Sequence, residues 1–273
     1  ALATNTSSRV WSYNPTMTVD GQFIAFKTSF SPTMATNLYV HNLATQITTL
    51  VGSNVWEDGF PELTPDGRFI AYESRTNIFL WDSQSGSNVL ISVDWTGTNA
   101  ANGTSCRPVL TSDGSRVAFL SDASNLTTNA SNGQPQLYVR DLVAGVTRLV
   151  SVNSNGQSTS SLSGIVPALN ADGSQIAFWS TDASIVGDDQ NQDADVFLRD
   201  LNTDSTSLIS AHAPSLPART GPGFFSLAEN SISADGRFLI LSAVGSRLVK
   251  DATGILPHVV VRDLAAGTNL PVD

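Results

Sequence analysis

Five times along the chain an Asp-Gly pair is followed by a short run in which apolar and polar residues alternate: "QFIAFKTS", "RFIAYES", "SRVAFLS", "SQIAFWS" and "RFLILS". The pairs end at Gly21, Gly67, Gly114, Gly173 and Gly236, a spacing of 46 to 63 residues. After a loop of variable length comes a second run, "NLYVHNL", "NIFLWD", "QLYVRDL", "DVFLRDL" or "HVVVRDL", and then a third, as in "TTLV" or "TRLVSV". A fourth short segment, such as "FPELT" or "RPVLT", precedes the Asp-Gly. Alternation with period two marks strands that bury one face. Asp-Gly between two such runs marks a hairpin, because the turn needs a positive φ that glycine adopts at little steric cost. Four strands per unit follow, and no amphipathic-helix pattern competes with them.

Repetition of a four-strand unit at this period predicts an all-β chain, a β-propeller of five four-stranded blades in a single domain over residues 1–273. The approximate repeats are 8–53, 54–97, 101–153, 160–211 and 224–273. An incomplete six-bladed ring, its last blade supplied from elsewhere, is the alternative. The pattern S/T-x-D-G-x-x-[IV]-A-[FY] followed by [LV]-[YF]-[VL]-x-D-L resembles the WD40-like repeat of TolB-type propellers over nearly the whole chain. The resemblance implies export from a bacterial cell and a role in binding. The fifth unit departs from it with "FLILS", and the first has His41-Asn42 where others carry Arg-Asp. Ring closure is expected either from residues 1 to 10 adding an edge strand to the last blade or from packing between blades one and five.

Composition narrows the partners. A net charge of −10 and a pI near 4.5 repel polyanions, so nucleic acid is excluded as a partner. No apolar run approaches the length of a membrane span. The only lysines are Lys27 and Lys250, while Ser, Thr and Asn fill the loops, and with the missing initiator Met this leads us to expect an extracellular or periplasmic protein. Asn5, Asn102, Asn125 and Asn129 stand in N-x-S/T triplets. Cys106 is the sole cysteine, so neither a disulfide nor a thiolate-rich metal site is expected, and the thiol is read as inert.

Comparison among the repeats separates scaffold from site. The Asp-Gly turns and the turns after the Asp-Leu elements are alike, so Asp82, Asp141, Asp200 and Asp263 are read as turn caps. The opposite face carries loops that vary, and ligands are expected there. One of them, "GDDQNQDAD" in the fourth unit, places Asp189, Asn191, Asp193 and Asp195 at alternate positions. Oxygen ligands so spaced can converge on a structural calcium ion, and their mutual repulsion favours a cation over a purely solvated loop. Trp11, Tyr13, Trp56, Glu57, Asp58, Trp95 and Glu229 fall on segments entering inner strands or between blades, where they are candidates for binding a protein or glycan. No nucleophile elbow, metalloprotease helix or phosphate-binding loop is present, and His41, His212 and His258 fall in different units. The sequence therefore favours an exported, noncatalytic binding or assembly module, with a homo-oligomer or filament as a possible state. A glycan-directed hydrolase or lectin on the variable face is the second reading, with Glu57, Asp58 and Glu229 as its carboxylates.

Overall fold

The computed structural model describes residues 10–30, 35–128, 132–160, 162, 165–187, 189, 194–210, 224–228, 230–244, 248 and 257–272. Their strands form five antiparallel sheets of four, each built from consecutive strands. The first holds β1 (Val10–Met17), β2 (Phe23–Phe30), β3 (Ala35–Asn42) and β4 (Ile47–Ser53), and the second β5 (Glu62–Leu63), β6 (Phe69–Ser74), β7 (Asn77–Asp82) and β8 (Ser87–Leu90). The third holds β9 (Ser105–Leu110), β10 (Arg116–Ser121), β11 (Gln136–Asp141) and β12 (Val146–Leu149). In the fourth are β13 (Ala168–Leu169), β14 (Gln175–Ser180), β15 (Asp195–Asp200) and β16 (Ser205–Leu208), and in the fifth β17 (Phe224–Ser226), β18 (Phe238–Val244), β19 (Pro257–Asp263) and β20 (Thr268–Pro271). These sheets are the five blades of a β-propeller. The last blade takes all four strands from its own repeat, and residues 1 to 9, expected as a possible closing strand, lie outside the described residues.

Each Asp-Gly hairpin is built the same way. The glycine N–H donates to the carbonyl three residues earlier, at 2.9 Å in Gly21 to Thr18 and Gly67 to Thr64, with φ of +72° and +68°. The aspartate accepts from a hydroxyl and from the N–H two residues on, as Asp66 does from Thr64 (2.7 Å) and Arg68 (3.0 Å). The Asp-Leu turns are capped as expected. Asp141 accepts from the N–H groups of Val143 and Ala144 at 3.0 and 2.8 Å, and Asp200 from Asn202 and Thr203 at 2.9 and 2.8 Å. In three blades a basic residue after the Asp-Gly turn also grips this cap, pairing Arg68 with Asp82, Arg116 with Asp141 and Arg237 with Asp263.

Strand alternation gives every blade a leading face toward the next blade and a trailing face toward the one before. Leading faces carry a small residue flanked by aliphatics, such as Ala71, Ile78 and Leu80. Trailing faces carry an aliphatic and a ring pair, such as Val117 with Phe119 and Tyr138. Four apolar clusters among the described residues join blades one to two, two to three, three to four and four to five in this manner. The Asp-Gly glycine takes part in the packing. A Cβ on Gly67 would lie 2.3 Å from the ring of Phe23 in the preceding blade, and one on Gly114 2.3 Å from Phe69. Gly21, with the same backbone, has nothing within 4 Å. Gly21→Ala should therefore cost only the positive-φ strain, about 1–2 kcal/mol. Gly67→Ala should lose a further ~1–3 kcal/mol from overpacking; denaturant midpoints of the two variants, compared with wild type, measure the difference.

Candidate functional site

A cavity of about 630 Å³ opens where the inner parts of blades two and three meet, and Val166, just ahead of β13, also lines it. Two loops of the expected variable face build it: the segment entering β5, with Trp56, Asp58 and Phe60, and the β6–β7 turn at Arg75 and Thr76. Arg107 of β9 completes the charged lining. It sits at a bulge where the register shifts, with a φ of +54°, a strained value for a non-glycine residue that re-aims the strand at the cavity. Asn14 has the corresponding place in β1, again at a bulge and at positive φ, and its side-chain amide donates to the carbonyls of Glu57 and Gly59.

Two buried charged residues hold this assembly. Lys27 and Glu73 occupy equivalent leading-face positions in blades one and two, where blades three and four have Leu120 and Trp179. The Lys27 ammonium, 1% exposed, donates to the carbonyl oxygens of Trp56 and Gly59. Glu73 accepts from the Arg107 backbone N–H at 2.7 Å, and its own carbonyl accepts from Trp56 N–H at 2.9 Å. Each charge thus reaches from one blade into the backbone entering the next. Burial lowers the Lys27 pKa to about 8 against the pull of Glu73, Asp58 and Glu57. Burial likewise raises the Glu73 carboxyl, opposed by the Arg107 N–H and by the charges of Lys27 and Arg107. It also pushes the Cys106 thiol up to about 11, so this cavity residue stays a neutral, weakly nucleophilic thiol near pH 7.

Of the residues singled out in the sequence, Trp56 and Asp58 come together here. Glu57 contributes its carbonyl, which accepts from Asn14. Trp11 is exposed on β1, and the Tyr13 hydroxyl bonds to that of Thr36 at 3.0 Å; neither lines the cavity. Trp95 belongs to a separate cavity of about 430 Å³ with Leu126, Arg148 and Asp204. Glu229, His212, Asn191 and Asp193 lie outside the described residues. Asp189 and Asp195 are both buried, and Asp195 accepts from the Ser210 hydroxyl. Among the described residues no three His, Cys, Asp or Glu side chains gather as a metal site. Lys27, Glu73 and Arg107 were not singled out, although a Lys and a Glu inside strand runs whose neighbours at that position are Leu and Trp carried the signal.

No family model matches the chain, and no curated protein matches it. Solved structures do resemble it in fold. TolB from Acinetobacter baumannii is similar at 18% identity and a TM-score of 0.50, over 96% of this chain and 55% of that one. An oligogalacturonate lyase in complex with manganese gives 18% and 0.58, over 96% and 66%. The β-propeller domain of the Trilobed protease from Pyrococcus furiosus, described as having an open velcro topology, gives 11% and 0.58, over 96% and 71%. The chain thus spans less than two thirds of the length of the first two. These likenesses show the β-propeller fold.

Because folded Lys27 binds its proton less tightly than the unfolded chain does, this group takes up protons on unfolding between about pH 8 and 10.5, and its contribution to stability rises with pH across that window. Cys106, pushed by burial up to about 11 from 9, acts in the opposite sense above pH 9, and Tyr72, up to about 12 from 10, does so above pH 10. Urea midpoints should therefore climb from pH 8 to 9 in the wild type, and the climb should be offset above pH 9. They should stay flat over the same range in Lys27→Met, a variant that also loosens the loop entering β5.

Proposed function

We propose that the chain is an exported, noncatalytic binding module of the TolB-type, WD40-like repeat kind, taking a glycan on its variable face in the cavity between blades two and three. The observation that carries this reading is the pairing of two exposed rings, Trp56 and Phe60, with Asp58, Glu62, Arg75 and Arg107 around one concave opening. Flat rings offer apolar area to a sugar face, while fixed carboxylates and guanidinium groups hydrogen-bond its hydroxyls. The buried Lys27 and Glu73 hold the loop that carries Trp56, so the site is pre-organised. Propellers of similar fold include an oligogalacturonate lyase and a protease domain. The scaffold does not choose between such roles; the lining does. Titration calorimetry against an oligosaccharide panel should find a ligand whose affinity falls about tenfold or more, ~1.4 kcal/mol, in Trp56→Ala. Unchanged affinity in that variant, or no glycan bound by the wild type, would sink the reading, and a protein ligand retained by Trp56→Ala would point to another surface. The raised proton affinity of Glu73, in one cavity with Asp58 and Glu62, favours the hydrolase as second reading, and turnover of the bound glycan would select it.

A structural calcium ion in the loop before β15 is part of the same proposal. The alternate spacing of Asp189, Asn191, Asp193 and Asp195 supports it, because oxygen ligands so placed can converge on one hard cation, and Asp189 and Asp195 are both buried. Asn191 and Asp193 complete the proposed ligand set. Calcium should raise the unfolding temperature and chelator should reverse the gain, with neither effect in Asp189→Ala. Identical melting in all conditions would leave the loop as solvated.

A further inference from the structure

The seam between the last blade and the first is chemically unlike the four interfaces inside the chain. On the leading face of the fifth blade Ile240 is 47%, Val259 39% and Val272 62% exposed, whereas their counterparts in the second blade, Ala71, Ile78 and Ile91, are 0% exposed. Ile240 also stands where the other four blades have alanine, which enlarges the apolar area. The trailing face of the first blade is the matching half. Phe26 and Tyr39 stack at 6.0 Å as Phe119 and Tyr138 do, yet both are only half-buried, whereas the Phe119–Tyr138 pair is fully buried. Each later Asp-Gly glycine presses on a side chain of the blade before it, Phe23, Phe69, Thr111 or Gln175, but Gly21 meets nothing. Phe238 is the residue of the fifth blade that corresponds to Phe23 and Phe69. None of the apolar clusters among the described residues contains both fifth-blade and first-blade residues.

We propose that these two faces are a head-to-tail docking surface for a second copy of this chain. The leading face of one copy's fifth blade seats on the trailing face of the other's first blade, with Phe238 against Gly21 of its neighbour. The partner is specified by the molecule itself. Four internal interfaces show which face an aliphatic leading face accepts, and the first blade presents that ring-bearing face only half covered. Contact runs through sheet faces rather than unpaired strand edges. It is heterologous, so it leaves one free face at each end of a dimer and permits further growth. Four strands about 4.8 Å apart and about six residues long make a face of roughly 20 by 20 Å. That is below the ~800 Å² per partner of a standard interface, so association should depend on concentration.

Sedimentation velocity across a wide concentration range tests this. The wild type should shift to larger species as concentration rises, and Ile240→Asp should remain monomeric. Gly21→Asn should also remain monomeric. Asparagine tolerates the left-handed backbone, and nothing lies near Gly21 in the free chain, but a side chain there would strike the incoming Phe238. Phe26→Asp is the second variant on that face, and circular dichroism confirms that each variant is folded. Mixing Ile240→Asp with Gly21→Asn restores one intact pair of faces and should produce a dimer that grows no further. A wild type that is monomeric at every concentration overturns the proposal. So does self-association of Ile240→Asp alone, or a mixture that stays monomeric.

Discussion

Everything in this fold depends on burying both faces of a sheet that has no helix to cover it. A four-stranded blade with apolar residues on each side is stabilised by packing on its neighbours, and the molecule meets this need with a directional contact: a small residue and aliphatics in front, an aliphatic and a ring pair behind. Close approach of the blades requires the Asp-Gly turns to lack side chains, since Phe23 and Phe69 lie over Gly67 and Gly114. The motif that makes the hairpin therefore also makes the interface. One glycine satisfies a turn that needs positive φ and a packing site that has no room for a Cβ.

The candidate site is what happens when that packing rule is broken twice in succession. At the leading-face position where later blades place Leu120 and Trp179, blades one and two place Lys27 and Glu73. Buried charges are costly unless hydrogen-bonded, and both reach forward to the backbone that enters the next blade. Apolar residues would have filled the space. Lys27 instead reaches past the sheet to the loop that carries Trp56, and the Glu73 carboxylate to the backbone of Arg107, so local packing is exchanged for a defined cavity wall.

Legibility divides along the same line. The repeats, their hairpins and the capping role of Asp141 and Asp200 could be read from spacing, because each depends on a few adjacent residues whose geometry is local. Trp56 and Asp58 were legible as residues on a segment entering an inner strand. Their neighbours were not, since Arg107 lies some fifty residues away and reaches the cavity through a bulge that no hydrophobic pattern announces. Lys27 was visible as one of two lysines, but its meaning required aligning the repeats position by position. Trp11, Tyr13 and Trp95 show the reverse limit: being aromatic and near an inter-blade segment does not decide which cavity a side chain meets.

The five blades share one interface chemistry at their four junctions, and the leading face of the fifth and the trailing face of the first carry that chemistry with more of it exposed. Capping faces of repeat folds are polar. The fifth blade instead replaces the interface alanine with Ile240 and keeps valines at Val259 and Val272. Apolar area left in water is unfavourable in proportion to its extent, so sequence and exposure point the same way at this seam. The cavity between blades two and three lies two blades from that seam, held by Lys27 and Glu73 rather than by ring closure. The proposed ligand site and the proposed docking faces therefore share no residue.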